Sequence, residues 1–504
     1  MKTPILGGAY VARSINAADN RLVNLFPEAV PEGSGGKEGG FLSRCPGLSV
    51  RTTVGSGPIR GMWQYNGYAY AVSGTELYKI TSAYVATKLG DVTGTGPVSM
   101  VDNGTQLFVA CNPDGYIYND STLVFAQITD IDFPGAVTVG YLDGYFVFNE
   151  PNSQKFWVTS LLDGTSVDPL DFASAEGYPD NVVSLNVNHR EIWLFGNNSI
   201  EVWYDAGNAT FPMARIQGAF MELGCEAAYS VAKLDNALYW LGSDARGRGM
   251  VYRSNGYNFT RVSTHAIEYA IQSYGDISDA IGYTYQQGGH AFYVLTFPGA
   301  NKTWCYDVAT QLWHERASFQ NGQFNRHRSN CQVAFNNEVL VGDYQSGNIY
   351  AFNFDTFTTD FALLLESGSL LLLENSSPIT LESTSGGLED KWLRSWRALA
   401  TGTNNLKRTA QHSLQLDCEA GVGLTSGQGS NPQVLLRWSD DGGHTWSNYH
   451  SRTMGQTGEY GQRVIWRRLG MTEKLRDRVY EVTGTDPVKV VIMGAELFVT
   501  PTNA

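Results

Sequence analysis

The sequence predicts an all-β protein: a six- or seven-bladed β-propeller, seven preferred, with an N-terminal arm and a C-terminal antiparallel β-sandwich-like domain. Three observations predict it. One hairpin unit recurs seven times between Gly57 and Asn353, at a spacing of about forty to the low fifties, the period of a four-stranded blade. Each unit turns on a residue pair suited to a tight hairpin. Aromatic residues make up 12% of the chain and charged residues only 17%, which suits large flat side chains packed between blades.

Residues 1–55 do not repeat and read as an extended arm. Their glycine-rich stretch, Gly33-Ser34-Gly35-Gly36-Lys37-Glu38-Gly39-Gly40, has no Ser or Thr after the lysine and no flanking strand and helix. It is a flexible loop and not a phosphate loop.

Residues 56–355 carry the propeller. The expected turns are Asn66-Gly67, Asn103-Gly104, Asp143-Gly144, Asn188-His189, Asp235-Asn236, Gln287-Gly288-Gly289 and Asn336-Asn337. Such residues tolerate positive φ, which two-residue hairpins need to match strand twist. Behind the turns stand YAYAV (68–72), LFVAC (107–111), YFVFN (145–149), IWLFG (192–196), LYWLG (238–242), FYVLTF (292–297) and EVLVGD (338–343). The next strands carry Tyr78, Tyr118, Trp157, Trp203, Tyr252, Trp304 and Tyr350. A lone hairpin buries too little apolar surface to be stable, whereas a ring of them shares a continuous core.

Residues 356–390 form a leucine/serine-rich insertion. Within it, FALLLESGSLLLLENSSPITLES (361–383) alternates apolar runs with polar punctuation, which favours short strands. Unpaired strands of this kind aggregate, so they are expected to pack on their own protein or on a neighbouring subunit. Residues 391–504 return to short strands without the blade pattern, at 413–420, 433–440, 462–469, 477–484 and 488–499. They read as a compact antiparallel sandwich.

Bulk properties narrow the function. The N-terminus lacks the apolar core of a signal peptide, and no apolar stretch is long enough to cross a membrane. Six scattered cysteines form no Cys-x-x-Cys pair, and eight histidines show no metal-ligand spacing. The cysteines read as buried free thiols made in a reducing cytoplasm, and no metal or cofactor is expected. The net charge of −14 is uneven. From residue 391 onward there are 14 Lys/Arg against 10 Asp/Glu, which leaves 21 against 39 before it. An acidic body disfavours tight DNA binding, which needs cations to displace counterions. It suits a surface past which DNA slides.

The basic residues of the last domain (Arg394, Arg397, Arg463, Arg467, Arg468, Lys474, Arg476 and Arg478) fit a solvated strand face paired with Glu473, Asp477 and Glu481 better than a DNA patch. Strand alternation places Arg467 and Arg468 on opposite faces. The Arg326-His327-Arg328 triplet reads as a solvated turn with no assigned role.

One short motif is sharp. Ser439-x-Asp441-x-Gly443-x-Thr445-Trp446 matches the Asp-box consensus. The carboxylate of such a box accepts backbone N–H groups, the glycine permits the turn and the Trp packs beneath. Sialidase propellers carry such boxes, but there the box is structural and recurs in several blades, whereas here it occurs once, outside the repeats. No pair of carboxylates is picked out by spacing for glycoside hydrolysis. No nucleophile elbow, Cys/His pairing or dinucleotide fingerprint is present. Catalytic residues are therefore expected to be none.

Both ends of the chain resemble the packaged-DNA stabilisation proteins, or tail nozzle (tail accessory) proteins, of short-tailed bacteriophages. At the start the likeness lies in ARSINAADNRLVNLFPE (12–28), with Asn24 and Pro27, and in CPGL (45–48), with Pro46 and Gly47. At the end it lies in HSLQLDCEAGVG (412–423), QVLLRWSDDGGHTWSNYH (433–450), GEYGQRVIWRRLG (458–470) and RDRVYEVTGTDPVKVVIMGAEL (476–497), with Trp466, Arg467, Arg468 and Arg478. The middle matches only in architecture, and 361–383 stands as an insertion.

The resemblance implies a structural protein of the phage tail, made in the host cytoplasm and built into the virion. It implies a homohexameric ring below the portal and its adaptor, beside other tail proteins such as needle or tailspike. That ring is a nozzle that retains packaged DNA and passes the double strand at ejection. It transfers no DNA-contact residue. The alternative from a different class is a carbohydrate- or receptor-binding tail propeller.

Overall fold

The computed structural model describes residues 1–31, 33, 35–244, 246–357, 390–399, 408–472 and 478–502. The insertion expected at 356–390, with its strands at 361–383, lies outside these residues save for Thr356, Phe357 and Asp390. So do Lys474, Arg476, Glu473 and Asp477.

Seven sheets make the propeller. The first six run in chain order over Ile59–Asp91, Ser99–Gln127, Val139–Ser174, Val182–Met221, Gly224–Arg261 and Ile281–Glu315. In the fifth, the inner strand is broken in two by a short 3-10 turn at Ala228–Ser230. An α-helix, His265–Gln272, lies between blades five and six. Each inner strand neighbours the next, and that of blade seven, Ser329–Phe335, lies against that of blade one, Ile59–Tyr65. The ring is closed with seven blades.

Closure is made by the arm. Blade seven has three strands from Ser329–Phe335, Glu338–Asp343 and Asn348–Asn353, and its outermost strand is Gly47–Thr53. That strand runs antiparallel to the last, from Asn348↔Thr53 to Asn353↔Gly47. Residues 47–53, read from sequence as part of the arm, thus belong to the propeller. Their hairpin partner comes from the far end of the repeats, so no local turn announces them.

The repeated aromatic runs occupy the second and third strand of each blade, as in Tyr145–Asn149 beside Lys155–Val158. The turns hold positive φ at Asn66 and Gly67 (49° and 76°) and at Asp235 and Asn236 (48° and 60°). One lies one residue later than expected: Asn188 pairs with Glu191, so His189-Arg190 makes the fourth turn. In the sixth, Gln287 pairs with His290, so of the expected Gln287-Gly288-Gly289 the two glycines make the turn. Asn103 acts differently: its Oδ1 accepts from the Thr105 and Gln106 amides and closes a longer loop.

Between blades the side chains interdigitate. Tyr65, Tyr70, Val72, Leu107 and Tyr118 fill one seam, and Phe108, Phe146, Phe148 and Trp157 the next. Each such side chain contributes about 1.5–3 kcal/mol by leaving water.

The C-terminal region is a sandwich of two sheets, and the arm supplies strands to both. One sheet orders Leu22–Val23, Trp392–Arg397, Val479–Gly484, Gln433–Ser439 and His450–Thr453. The other orders Leu25–Ala29, Gly40–Arg44, Val491–Pro501, Thr409–Cys418 and Val464–Arg467. The first continues into blade six, because Val23 bridges Glu315 in parallel. One hydrophobic cluster runs from Tyr239 and Tyr293 of the propeller to Trp392, Trp396 and Trp466 of the sandwich. All six cysteines are free thiols, but only Cys45, Cys111, Cys225 and Cys305 are buried; Cys331 and Cys418 are half-buried.

Candidate functional site: the propeller–sandwich joint and the apolar flank

The arm threads between propeller and sandwich, and Asn24 stands at the crossing. It sits at φ 54° and is buried, a conformation that Asn tolerates better than most residues. Its Nδ2 donates to Ala317 O and to Lys391 O, both at 2.8 Å, and its Oδ1 accepts from the Ala317 amide at 3.0 Å. One side chain thus ties the arm to the end of blade six and to the start of the sandwich. Beside it Arg21 forms two bonds with Glu315, at 3.1 and 3.0 Å.

Pro27 lies in the strand Leu25–Ala29 and pairs with Leu42. Pro46 and Gly47 are buried where the chain passes from sandwich to blade seven. A Cβ at Gly47 would stand 1.8 Å from Thr356 O, so only glycine lets the two backbones approach there.

Several buried cations brace this joint. Arg44 donates to the carbonyls of Asp486 and Val488, both at 2.7 Å, and to Asp390 O. The Arg316 guanidinium lies over the rings of Tyr285, Phe292 and Phe352, at 5.7, 5.9 and 5.3 Å. Burial, with Arg316 and Arg328 nearby, pushes His327 down to about 3. A cavity of about 20 Å³ lies among Asn24, Pro46, Gly47, Arg316, His327 and Asp390. It has room for one water and for no cofactor. These arginines were invisible as a set in the sequence, since Arg44, Arg316 and Arg394 come from three distant segments: the end of the strand Gly40–Arg44, the link after Leu312–Glu315, and the strand Trp392–Arg397.

The Arg326-His327-Arg328 triplet is not the solvated turn expected. His327 and Arg328 are buried, Arg328 reaches Asp343 at 3.3 Å, and Arg326 stacks on Tyr344 at 3.6 Å. The basic residues of the sandwich likewise do not form one solvated face. Arg394 is buried, and its charge is met by the carbonyls of Ile5, Gly8 and Arg21. Glu481 is buried against Arg437 at 2.6 Å. The cause is the arm, whose strand at Leu22–Val23 covers the sheet edge that the sequence leaves open.

The Ser439–Trp446 loop is held from within. Asp441 accepts from Ser439 Oγ at 2.6 Å, from the Thr445 amide at 2.8 Å and from Thr445 Oγ1 at 2.7 Å. Burial pushes its carboxyl up, but these bonds outweigh it and hold Asp441 well below the usual carboxylate range. Gly443 takes φ 107°, donates its amide to Ser439 Oγ and accepts from Trp446 Nε1 at 3.0 Å. The Trp446 ring receives the Arg437 guanidinium at 4.5 Å.

Arg478 clamps the same loop through Asp440, at 2.6 and 2.7 Å. A Cβ at Gly443 would meet Asp19 Oδ2 at 2.6 Å, so the loop packs against the arm. The geometry is that of a fastening, with the carboxylates of Asp440 and Asp441 both spent on bonds. Trp466 is buried and donates to His450 O at 2.8 Å, while Arg467 and Arg468 are exposed.

Among the described residues, no group of three or more His, Cys, Asp or Glu could hold a metal ion. No described helix is long and apolar enough to cross a membrane. Away from the joint, blades two and three expose Leu123, Val124, Ile131, Leu161, Leu162 and Leu170, each more than half accessible and Ile131 at 96%. Asp130 caps the Val167 amide at 3.0 Å and so brings the Ile131 loop beside the loop carrying Leu161, Leu162 and Leu170. Exposed apolar side chains carried by neighbouring loops suit a contact surface.

Two family models match the chain, one described as the β-propeller of bacteriophage P22 Gp10 over residues 1–357 and one as its β-sandwich over residues 394–500. No curated protein matches it in sequence. Similar solved structures include PorZ, a surface component of the type-IX secretion system of Porphyromonas gingivalis, at 10% identity and TM-score 0.38, over 72% of this chain and 44% of that one. The extracellular domain of a one-component system from B. thetaiotaomicron shares 12% identity at TM-score 0.40, over 86% of this chain and 58% of that one. A chain of the mitotic checkpoint complex shares 11% identity at TM-score 0.41, over 65% of this chain and 97% of that one. The chain spans about half the length of the first two.

Proposed function

The chain belongs to the bacteriophage P22 Gp10 family of short-tailed phage tail proteins, and from that premise we propose that it forms a nozzle ring below the portal and its adaptor. The ring retains packaged DNA and gives the double strand its path at ejection. Its place is the virion, its synthesis is in the host cytoplasm, and its neighbours are further copies, the portal assembly and other tail proteins such as needle or tailspike.

The observation that carries this reading is the apolar flank of blades two and three. Leu123, Ile131, Leu161 and Leu170 stand in water in the isolated subunit, on the two blades that follow the first. The sandwich is welded to blade six, whose neighbour on the other side is blade seven. One flank of the subunit is therefore adhesive and a different one carries the sandwich. Contacts between unlike surfaces generate a ring when the rotation closes, and six is the copy number that the family resemblance implies.

The acidic body fits the channel role. Residues 1–390 carry 21 Lys/Arg against 39 Asp/Glu, so a lumen lined by them offers few sites for counterion release and DNA does not adhere. Neutralising lumen carboxylates slows ejection; an unchanged rate would contradict the acidic-lining idea. The ring itself is tested by Ile131→Glu combined with Leu170→Glu. Light scattering after size-exclusion chromatography reads the mass. The variant runs as a monomer under conditions where the parent forms a ring, and a variant that still assembles would overturn this interface.

A further inference from the structure

The second sheet of the sandwich turns one face to its core and the other to water. Leu414, Trp466 and Leu497 form one cross-strand row on the core side and are at most 1% exposed. The neighbouring row, Arg467, Ser413 and Phe498, therefore points outward, because successive residues of a strand face opposite sides. Phe498 is 62% exposed, with the His412 ring 5.0 Å from its own. Met471, bridged to Ala410 at the rim, is 44% exposed. Arg463, Arg467 and Arg468 are exposed beside them, and none meets a carboxylate among the described residues. At the far end of the same face the charges are already matched, Lys37 with Asp417 at 2.5 Å and Lys2 with Glu38 at 2.7 Å. Aromatic, Met and Arg side chains together have the composition of a protein interface.

The same chain carries a surface of opposite charge. The loops that hold Ile131, Leu161 and Leu170 also hold Asp130, Asp132, Asp163, Asp168 and Asp171. None of these five aspartates has an ion-pair partner among the described residues. Burial, with Asp168 beside it, raises the Asp171 carboxyl, so like charges crowd there. Complementary charge fixes which surfaces dock and in what register. The placement also fits. The seven blades follow one another in chain order, so blade two is reached from blade six through seven and one, and blade three through five and four. Blades two and three thus lie across the ring from blade six, from whose outer edge the sandwich extends. The two surfaces stand on opposite sides of the subunit, as a head-to-tail contact requires. Duplex DNA is the poorer occupant: its phosphates draw on cations, whereas here the arginines alternate with Phe498, Met471 and, one row on, Glu496.

We propose that the sandwich face around Phe498 and Arg467 of one copy seats on the Ile131 and Leu170 flank of the next, its arginines meeting the aspartates of that flank. This rests on the ring reading above and adds the surface that receives the flank. Light scattering after size-exclusion chromatography tests it on the full chain. Two variants are compared, Ile131→Glu with Leu170→Glu, and Arg467→Asp with Phe498→Asp. Each alone runs as a monomer where the parent forms a ring. Mixed in equal amounts they form a dimer and nothing larger, since each supplies one intact surface and a single contact uses both. That dimer also shows that both variants fold. Charge is tested separately: Asp132→Arg with Asp171→Arg breaks the ring, Arg463→Asp with Arg467→Asp breaks it, and a chain carrying all four recovers it.

A ring still closed by the Arg467→Asp, Phe498→Asp chain would overturn the pairing and leave the ring standing. A parent that stays monomeric would overturn both. Two monomeric variants that form no dimer on mixing would overturn the pairing, as would failure of the fourfold charge reversal to recover the ring. If the Arg467→Asp, Phe498→Asp chain closes its ring but loses binding of a labelled DNA duplex, the face belongs to nucleic acid and the pairing is wrong.

Discussion

Asn24 and Lys391 are joined by a 2.8 Å hydrogen bond from the Asn24 side-chain amide to the Lys391 carbonyl. The same amide holds Ala317 at the end of blade six. Residue 24 therefore fixes the sandwich to the propeller through the arm. Asn24→Ala loses three buried hydrogen bonds, at about 1–3 kcal/mol for each partner left unmet, and about 1–2 kcal/mol more for the left-handed backbone. Asn24→Gly keeps the backbone and loses only the bonds. Urea unfolding should rank parent, Asn24→Gly and Asn24→Ala in that order; equal stability of the parent and either variant would contradict the joint.

His314 makes the opposite prediction. Neither of its ring nitrogens has a hydrogen-bond partner among the described residues, and it is buried beside Phe26 and Phe292. Burial, with Arg316 and His290 nearby, pulls its pKa well below the ordinary value. The folded state then keeps it neutral, while the unfolded chain takes a proton below about pH 6.5. Stability is present above that pH and drains as pH falls. His314→Leu should raise stability by about 1–3 kcal/mol at neutral pH and by more in mild acid. A destabilised variant at both pH values would refute this.

His290 titrates with the other sign. Its hydrogen bond with Asp307, and then Glu28, raise it from 6.5 to about 9. The folded state holds the proton more tightly, so the contribution is complete below about pH 6.5 and is lost as pH rises through about 9. The gap in melting temperature between parent and His290→Gln should therefore be widest below about pH 6.5, narrow as pH rises through neutral, and close in alkali. A gap independent of pH would contradict it.

Arg478 and Asp440 can be tested as a pair. Arg478→Ala leaves a carboxylate without its partner and should cost about 3–5 kcal/mol. Adding Asp440→Asn should return part of that loss. Additive losses in chemical denaturation would mean that the two side chains do not interact.

Much of the propeller is legible because its signals are local. Each of Tyr78, Tyr118, Trp157 and Trp203 follows a turn and an apolar run within a single hairpin, and the structure places them in third strands. Gly47–Thr53 was not legible, since its partner strand lies at the far end of the repeats. The expectation of a solvated basic face failed for a related reason: alternation assigns a face, but only the tertiary fold shows that the arm covers Arg394 and that Asp440 with the Leu469 and Met471 carbonyls encloses Arg478. Asn24 and Gly47 stood out only through the family resemblance. Their physical roles, a three-way hydrogen-bonded joint and a backbone crossing too tight for a Cβ, appear once the distant segments meet.

The role proposed for this protein is that of a nozzle that holds DNA in the head and lets it out. Particles of the source phage lacking it test that most directly, by nuclease-accessible DNA together with electron microscopy of the tail. The account predicts heads that package but leak their genome, on a shortened tail. Heads that retain their DNA and fail only to attach to cells would contradict it.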